Sequence, residues 1–196
     1  MAVHAGSLAM ILYIHGFNSS PASRKSRQLQ ERLAALGRAD EFRCPALPHW
    51  PREAMDLLER EIGGSDPRQV TLVGSSLGGF YATYLTEKTG VRAVLVNPAI
   101  TPHEGLRAYL GPQKNLYTGE AYELTPAHLE QMATLQVPQP IRLENYLLMH
   151  TTGDELLDWR VAVDHYRGCR SVVVQGSDHG FEAFGNYLDI VLDFAG

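Results

Sequence analysis

The feature that most constrains this chain is an alternation. Short, continuous apolar runs are separated by segments with helical periodicity. The runs are Met10–Ile14, Gln69–Val73, Val91–Val96, Asn145–His150 and Ser171–Gln175. Between them, Ser23–Leu36 places Leu29, Leu33 and Leu36 on one stripe, and Arg52–Ile62 does the same with Met55, Leu58 and Ile62. Leu77–Lys88 reads as a helix closed by Gly90, and Trp159–Tyr166 and Phe181–Phe194 as two more. Runs apolar on both faces suit strands sandwiched between helical layers. The pattern therefore predicts an α/β fold, a mostly parallel sheet with helices on both faces. Phe42–Leu47 is a poor strand candidate because Pro45 and Pro48 interrupt it. The 196 residues fit one domain with about six strands.

The rhythm breaks between Asn97 and Gln139, where five prolines accompany Tyr109, Tyr117 and Tyr122. A stretch this long without regular periodicity predicts a cap built from short helices, over about 98–140, inserted in a single domain 10–196. Residues 1–9 read as a leader outside it. Met1–Ile14 contains no Lys or Arg, and its apolar part runs straight into His15–Gly16, which favours a strand over a secretory signal.

Composition removes several classes. A net charge of −5 argues against a protein that coats nucleic-acid phosphates. No apolar run approaches the ~20 residues of a membrane span. Two cysteines, Cys44 and Cys169, cannot make a disulfide framework, and they lack metal-ligand spacing. They read as ordinary core residues in a reducing compartment, so a cytoplasmic location is expected. No metal and no nucleic-acid or membrane partner is expected.

Four motifs follow predicted strands. Gly74–Ser75–Ser76–Leu77–Gly78 lies between the run QVTLV and a helix. So tight a turn leaves no room for side chains two positions either side of the central serine, and it lifts the Ser76 hydroxyl above the sheet edge as a nucleophile. His15–Gly16–Phe17–Asn18 follows the first run. Acyl transfer needs two donors for the developing oxyanion, and the N–H groups of Phe17 and Leu77 are the candidates. His15 reads as a brace for that loop. Thr151–Thr152–Gly153–Asp154 follows NYLLMH, and Asp154 is the candidate to orient an imidazole, ahead of Glu155 and Asp158. Asp158 reads as a helix cap. Gly176–Ser177–Asp178–His179–Gly180 follows SVVVQ, with His179 as the general base and Asp178 as a loop hydrogen-bonding group. The order Ser76, Asp154, His179 is the one expected of an α/β-hydrolase triad.

With these elements in place the chain resembles the α/β-hydrolase superfamily. More narrowly, it resembles the small bacterial YqiA-type esterases. MILYIHGFNSSP, GSSLGGFYATYL, VNPAI, GDELLD, GSDHGF and YLGPQKNLYTGEAYEL carry the likeness, which runs from Met10 onward. The resemblance implies a compact serine esterase for acyl esters or thioesters, with no metal or organic cofactor, and the short chain favours small to medium acyl groups. Candidate pocket residues are Phe80, Tyr81 and Tyr117, with plain core packing as the alternative. Asn97–Pro98 reads first as a turn and second as site floor. Arg24–Lys25–Ser26–Arg27 reads as a solvated helix face that could instead draw an anionic leaving group such as coenzyme A. An acyl-CoA thioesterase or acyltransferase on the same triad is the first alternative. Dienelactone hydrolysis is disfavoured because Ser76 stands where those enzymes usually carry Cys. A non-catalytic binding protein on the same fold is the alternative from another class.

Overall fold

The structure, a computed structural model, describes residues 9–196. The expected leader 1–9 lies, but for Ala9, outside the described residues. Strand β1 (Met10–Ile14) leads to helix α1 (Arg24–Ala35), then to the two-residue strand β2 (Phe42–Arg43) and helix α2 (Pro51–Ile62). β3 (Val70–Ser75), α3 (Leu77–Thr89) and β4 (Arg92–Val96) form the centre. Next come α4 (Pro102–Gly105), the strands β5 (Gly111–Lys114) and β6 (Ala121–Leu124), and α5 (Pro126–Thr134). β7 (Tyr146–Thr151), α6 (Trp159–His165), β8 (Arg170–Val174) and α7 (Leu188–Ala195) complete the order.

Six strands form one parallel sheet in the order β2-β1-β3-β4-β7-β8. Side chains alternate between its two faces, as the pleat requires. Leu12, Ile14, Leu72, Ala93, Leu95, Tyr146 and Leu148 pack toward α2, α3, α5 and α6. Ile11, Tyr13, Val73, Val94, Val96, Leu147 and Met149 pack toward α1 and α7. Each fully buried Leu or Ile here contributes roughly 1.5–3 kcal/mol of transfer free energy. Ile14 pairs with Gly74 and Gly74 with Leu95, so β1, β3 and β4 end level with one another. Thr151 and Val174 are likewise paired at the ends of β7 and β8. The loops that follow all four motif-bearing strands therefore emerge along one edge, where open parallel sheets place their sites.

Two expectations need correction. Phe181–Phe194 is not one helix: a 3₁₀ segment, Glu182–Tyr187, precedes α7. Its tighter winding brings side chains three apart into line, and Phe181 and Phe184 are both fully buried against the sheet. Residues 98–140 contain more than short helices, because β5 and β6 pair as an antiparallel hairpin. Its turn is held by Asn115, whose side-chain oxygen accepts the N–H groups of Tyr117 and Thr118. Residues of this hairpin are mostly exposed or half-buried, so no apolar alternation announces it.

Candidate active site

Ser76 sits between β3 and α3 with φ 55° and ψ −119°, a conformation side chains other than glycine rarely adopt. The neighbouring glycines make this geometry possible. A Cβ on Gly74 would lie 2.3 Å from the Gly78 carbonyl oxygen, and a Cβ on Gly78 would lie 1.9 Å from that of Ile14. Ser76 N–H donates to the Val96 carbonyl (3.0 Å), and the Ser76 carbonyl accepts from Ala99 N–H (3.1 Å). The elbow is thus pinned on both sides to the end of β4.

His179 reaches Ser76 from the loop after β8. Its Nε2 lies 3.0 Å from Ser76 Oγ and its Nδ1 lies 2.8 Å from Asp154 Oδ2. With Nδ1–H donating to the Asp154 carboxylate, Nε2 is left to accept from the serine hydroxyl. The other oxygen of Asp154 accepts from the N–H groups of Leu156 (2.9 Å) and Leu157 (2.8 Å). Burial of the Asp154 side chain opposes ionisation. The His179 hydrogen bond and the two backbone donors outweigh it and hold the pKa below the ordinary carboxylate value. Ser76, Asp154 and His179, which lie far apart in sequence, are therefore brought into one hydrogen-bonded line.

Gly16 places its backbone against Ser76, where an added Cβ would stand 3.2 Å from the serine Cβ. Phe17 follows it, and Leu77 opens α3. Among the described residues neither N–H finds an acceptor. His15 is buried and accepts from Leu47 N–H at Nε2, which leaves its Nδ1 proton facing the Gly16 carbonyl. Burial lowers its pKa, so it stays a neutral brace.

An open cleft lies beside Phe17 and Leu77. Tyr81 lines it, with His49, Asn115, Glu120 and Tyr122 as polar wall. Phe80 instead faces a separate small cavity beside Tyr166. Tyr117 is half-exposed and lines neither cavity. No Lys or Arg lines the cleft. Among the described residues, no group of three or more His, Cys, Asp or Glu side chains is arranged to hold a metal ion. Nor is any helix among them long and apolar enough to cross a membrane.

Several positioning contacts carry little sequence signal. Asn97, fully buried at a left-handed φ of 43°, donates to the carbonyls of Asp178 (3.3 Å) and His179 (3.1 Å) and accepts from Thr151 N–H (2.9 Å). It ties the strand before Asp154 to the loop that carries His179. The Asn–Pro pair at a strand end was its only sequence clue, and that clue reads first as a turn. Glu155 accepts the His179 N–H (3.0 Å), while Asp158 caps α6 through Arg160 N–H (3.0 Å). Asp178 accepts from Glu182 N–H within its own loop. Lys25 is not part of a solvated face: its ammonium turns inward and donates to the Gly180 carbonyl (2.8 Å).

Residues 10–196 match the model of an uncharacterised protein family, UPF0227. The chain belongs to this family. UPF0227 is the YqiA-like group that the sequence motifs resemble. A UPF0227 protein of Shewanella sediminis is 31% identical over 99 residues, which are 50% of this chain and 55% of the relative. One from Yersinia pseudotuberculosis is 31% identical over 102 residues, 50% of this chain and 54% of the relative. The chain spans about half the length of the curated relatives it matches. Two solved structures show how the UPF0227 chain is folded. Mouse alpha/beta hydrolase domain-containing protein 10 superposes with a TM-score of 0.70 at 17% identity, covering 96% of this chain and 89% of that one. Est1E of Butyrivibrio proteoclasticus, solved with ferulic acid bound, superposes with a TM-score of 0.65 at 15% identity, covering 96% of this chain and 87% of that one. At such identities the likeness is one of fold, and the fold is that of the α/β hydrolases.

Proposed function

We propose that the chain is a serine esterase that hydrolyses small to medium acyl esters through an acyl-enzyme intermediate. The observation that carries this reading is the line Asp154–His179–Ser76, with contacts of 2.8 and 3.0 Å, beside two unpaired backbone N–H groups. Ser76 Oγ attacks the ester carbonyl carbon as His179 Nε2 takes its proton. The carbonyl oxygen becomes an oxyanion held by Phe17 and Leu77 N–H. The tetrahedral adduct collapses, the C–O bond to the alcohol breaks, and the alcohol leaves with the proton from Nε2. Water then repeats the sequence on the acyl-enzyme and frees the carboxylate and Ser76. Asp154 stays ionised and stabilises the imidazolium in both halves. These steps need no metal or organic cofactor.

Segment 98–140 serves as the cap, since it supplies Asn115, Glu120 and Tyr122 to the cleft wall. The small, half-polar cleft favours short or flexible acyl groups. A thioesterase using coenzyme A is less well supported: the cleft offers no cation, and Lys25 is engaged with Gly180. The free thiols Cys44 and Cys169 suit the cytoplasmic location expected from the sequence.

The test is a nitrophenyl-ester panel of increasing chain length, run on wild type and Ser76→Ala beside labelling with a fluorophosphonate. Wild type should turn over the short esters and label at Ser76. Ser76→Ala should lose on the order of 10⁶ in kcat. Activity of that variant within tenfold of wild type would remove the esterase reading. Failure of the probe to label Ser76 would favour the binding-protein alternative.

A further inference from the structure

We infer that the β5–β6 hairpin sets the oxyanion hole, acting through Asn18. This rests on the esterase reading above and assigns positioning roles to Gln113 and Tyr122. Asn18 immediately follows Phe17 and holds a left-handed φ of 51°. A non-glycine residue in that region is costly unless its surroundings hold it there. Those surroundings come from a segment roughly a hundred residues away.

Three groups of Asn18 are engaged by the hairpin. Its side-chain amide donates to Gln113 Oε1 (3.0 Å), and its Oδ1 accepts from the Tyr122 hydroxyl (2.8 Å). Its backbone carbonyl accepts from Leu116 N–H (2.9 Å). One residue on, the Ser19 carbonyl accepts from Asn115 Nδ2 (2.8 Å). Gln113 is itself anchored, donating to the Tyr109 carbonyl (2.6 Å), and the Tyr109 ring meets Phe17 edge-on at 6.3 Å. The loop is thus clamped on both sides of the Phe17–Asn18 peptide. Phe17 N–H lies one residue before the clamped one, so a rotation of the Asn18 backbone re-aims it. The oxyanion exists only in the tetrahedral state. A misaimed donor therefore lowers kcat and spares ground-state binding.

Gln113 provides the cleanest test, because it does not line the cleft. Gln113→Ala should lower kcat about tenfold and Asn18→Ala about 100-fold, with KM within twofold of wild type. Inhibition by a trifluoromethyl ketone, which forms an oxyanion on Ser76, should weaken by the same factors. Tyr122→Phe combined with Asn18→Ala should cost no more than Asn18→Ala alone, because both act on one clamp. Asn18→Gly, which tolerates the left-handed backbone but loses the side-chain bonds, keeps the test valid should Asn18→Ala fold poorly. It is expected to lose activity as well, with an unchanged melting midpoint. Folded variants with kcat within twofold of wild type, or with KM raised and ketone inhibition unchanged, would overturn the inference. Should Ser76→Ala itself stay active, the esterase reading fails, and that outcome is read separately from the hairpin variants.

Discussion

On the esterase reading, Lys25 is expected to link catalysis and stability with opposite signs. Its ammonium is turned away from bulk water onto the Gly180 carbonyl, next to His179. Burial, with Arg24 beside it, lowers its pKa from 10.5 to about 8, against the pull of Asp178 and Asp154. The folded state thus releases this proton more readily than the unfolded chain. Keeping the ammonium costs stability below pH 8, and that cost is relieved as pH rises from about 8 toward 10.5. Loss of the same proton weakens the hydrogen bond to Gly180 and removes a positive charge near Asp154. Over this window kcat should fall while the stability contribution of Lys25 rises. Lys25→Met should lack both changes. Esterase rates and urea midpoints of the two proteins, compared between pH 7.5 and 10, check the expectation. A wild-type rate profile matching that of Lys25→Met would contradict it.

At the level of elements, the turn between β3 and α3 is the least tolerant part of the fold. Gly78 lies so close to the end of β1 that a single added methyl group must displace backbone rather than a flexible side chain. Gly78→Ala should destabilise by about 3 kcal/mol or more through overpacking, read as a lower urea midpoint. Gly105, at the end of α4, has open space around its Cα and a helical backbone. Gly105→Ala should stabilise by ~0.4–1 kcal/mol, because the unfolded chain loses freedom and the folded one loses nothing. A Gly78→Ala protein as stable as wild type would mean that β1 and α3 are less closely packed than described. The glycines of the turn also mark what a sequence reveals. Gly74 and Gly78 recur in a frame around Ser76 and could be read as steric requirements. The β5–β6 hairpin could not, because its short strands carry no apolar alternation and its meaning lies in contacts with Asn18.

For the whole molecule, the edge where the parallel strands end is also a point of stored stability. The Asp154 pKa is depressed in the folded state, so its carboxylate contributes stability that is fully present above the ordinary value near 4. That contribution is lost as pH falls through the folded value. Asp154→Asn should therefore be less stable than wild type at pH 7, with the difference narrowing as pH approaches 3. Chemical denaturation at both pH values checks this, and a constant difference would contradict it. The strands β1, β3, β4 and β7 were legible in the sequence because strands buried on both faces give unbroken apolar runs. Asn97 could be read only second as site floor and Thr151 not as a site residue at all, since their part is to join loops whose proximity only the finished sheet creates.

The clamp on Asn18 has a consequence for the order in which the protein comes into being. During synthesis Asn18 precedes Gln113 by 95 residues and Tyr122 by 104, and Ser76 precedes His179 by 103. On the proposed esterase reading, the oxyanion loop and the nucleophile are thus made long before the groups that aim and activate them. Reactivity would then arrive as a late event of folding rather than grow with the chain, and a nascent chain would carry its serine in a dormant state.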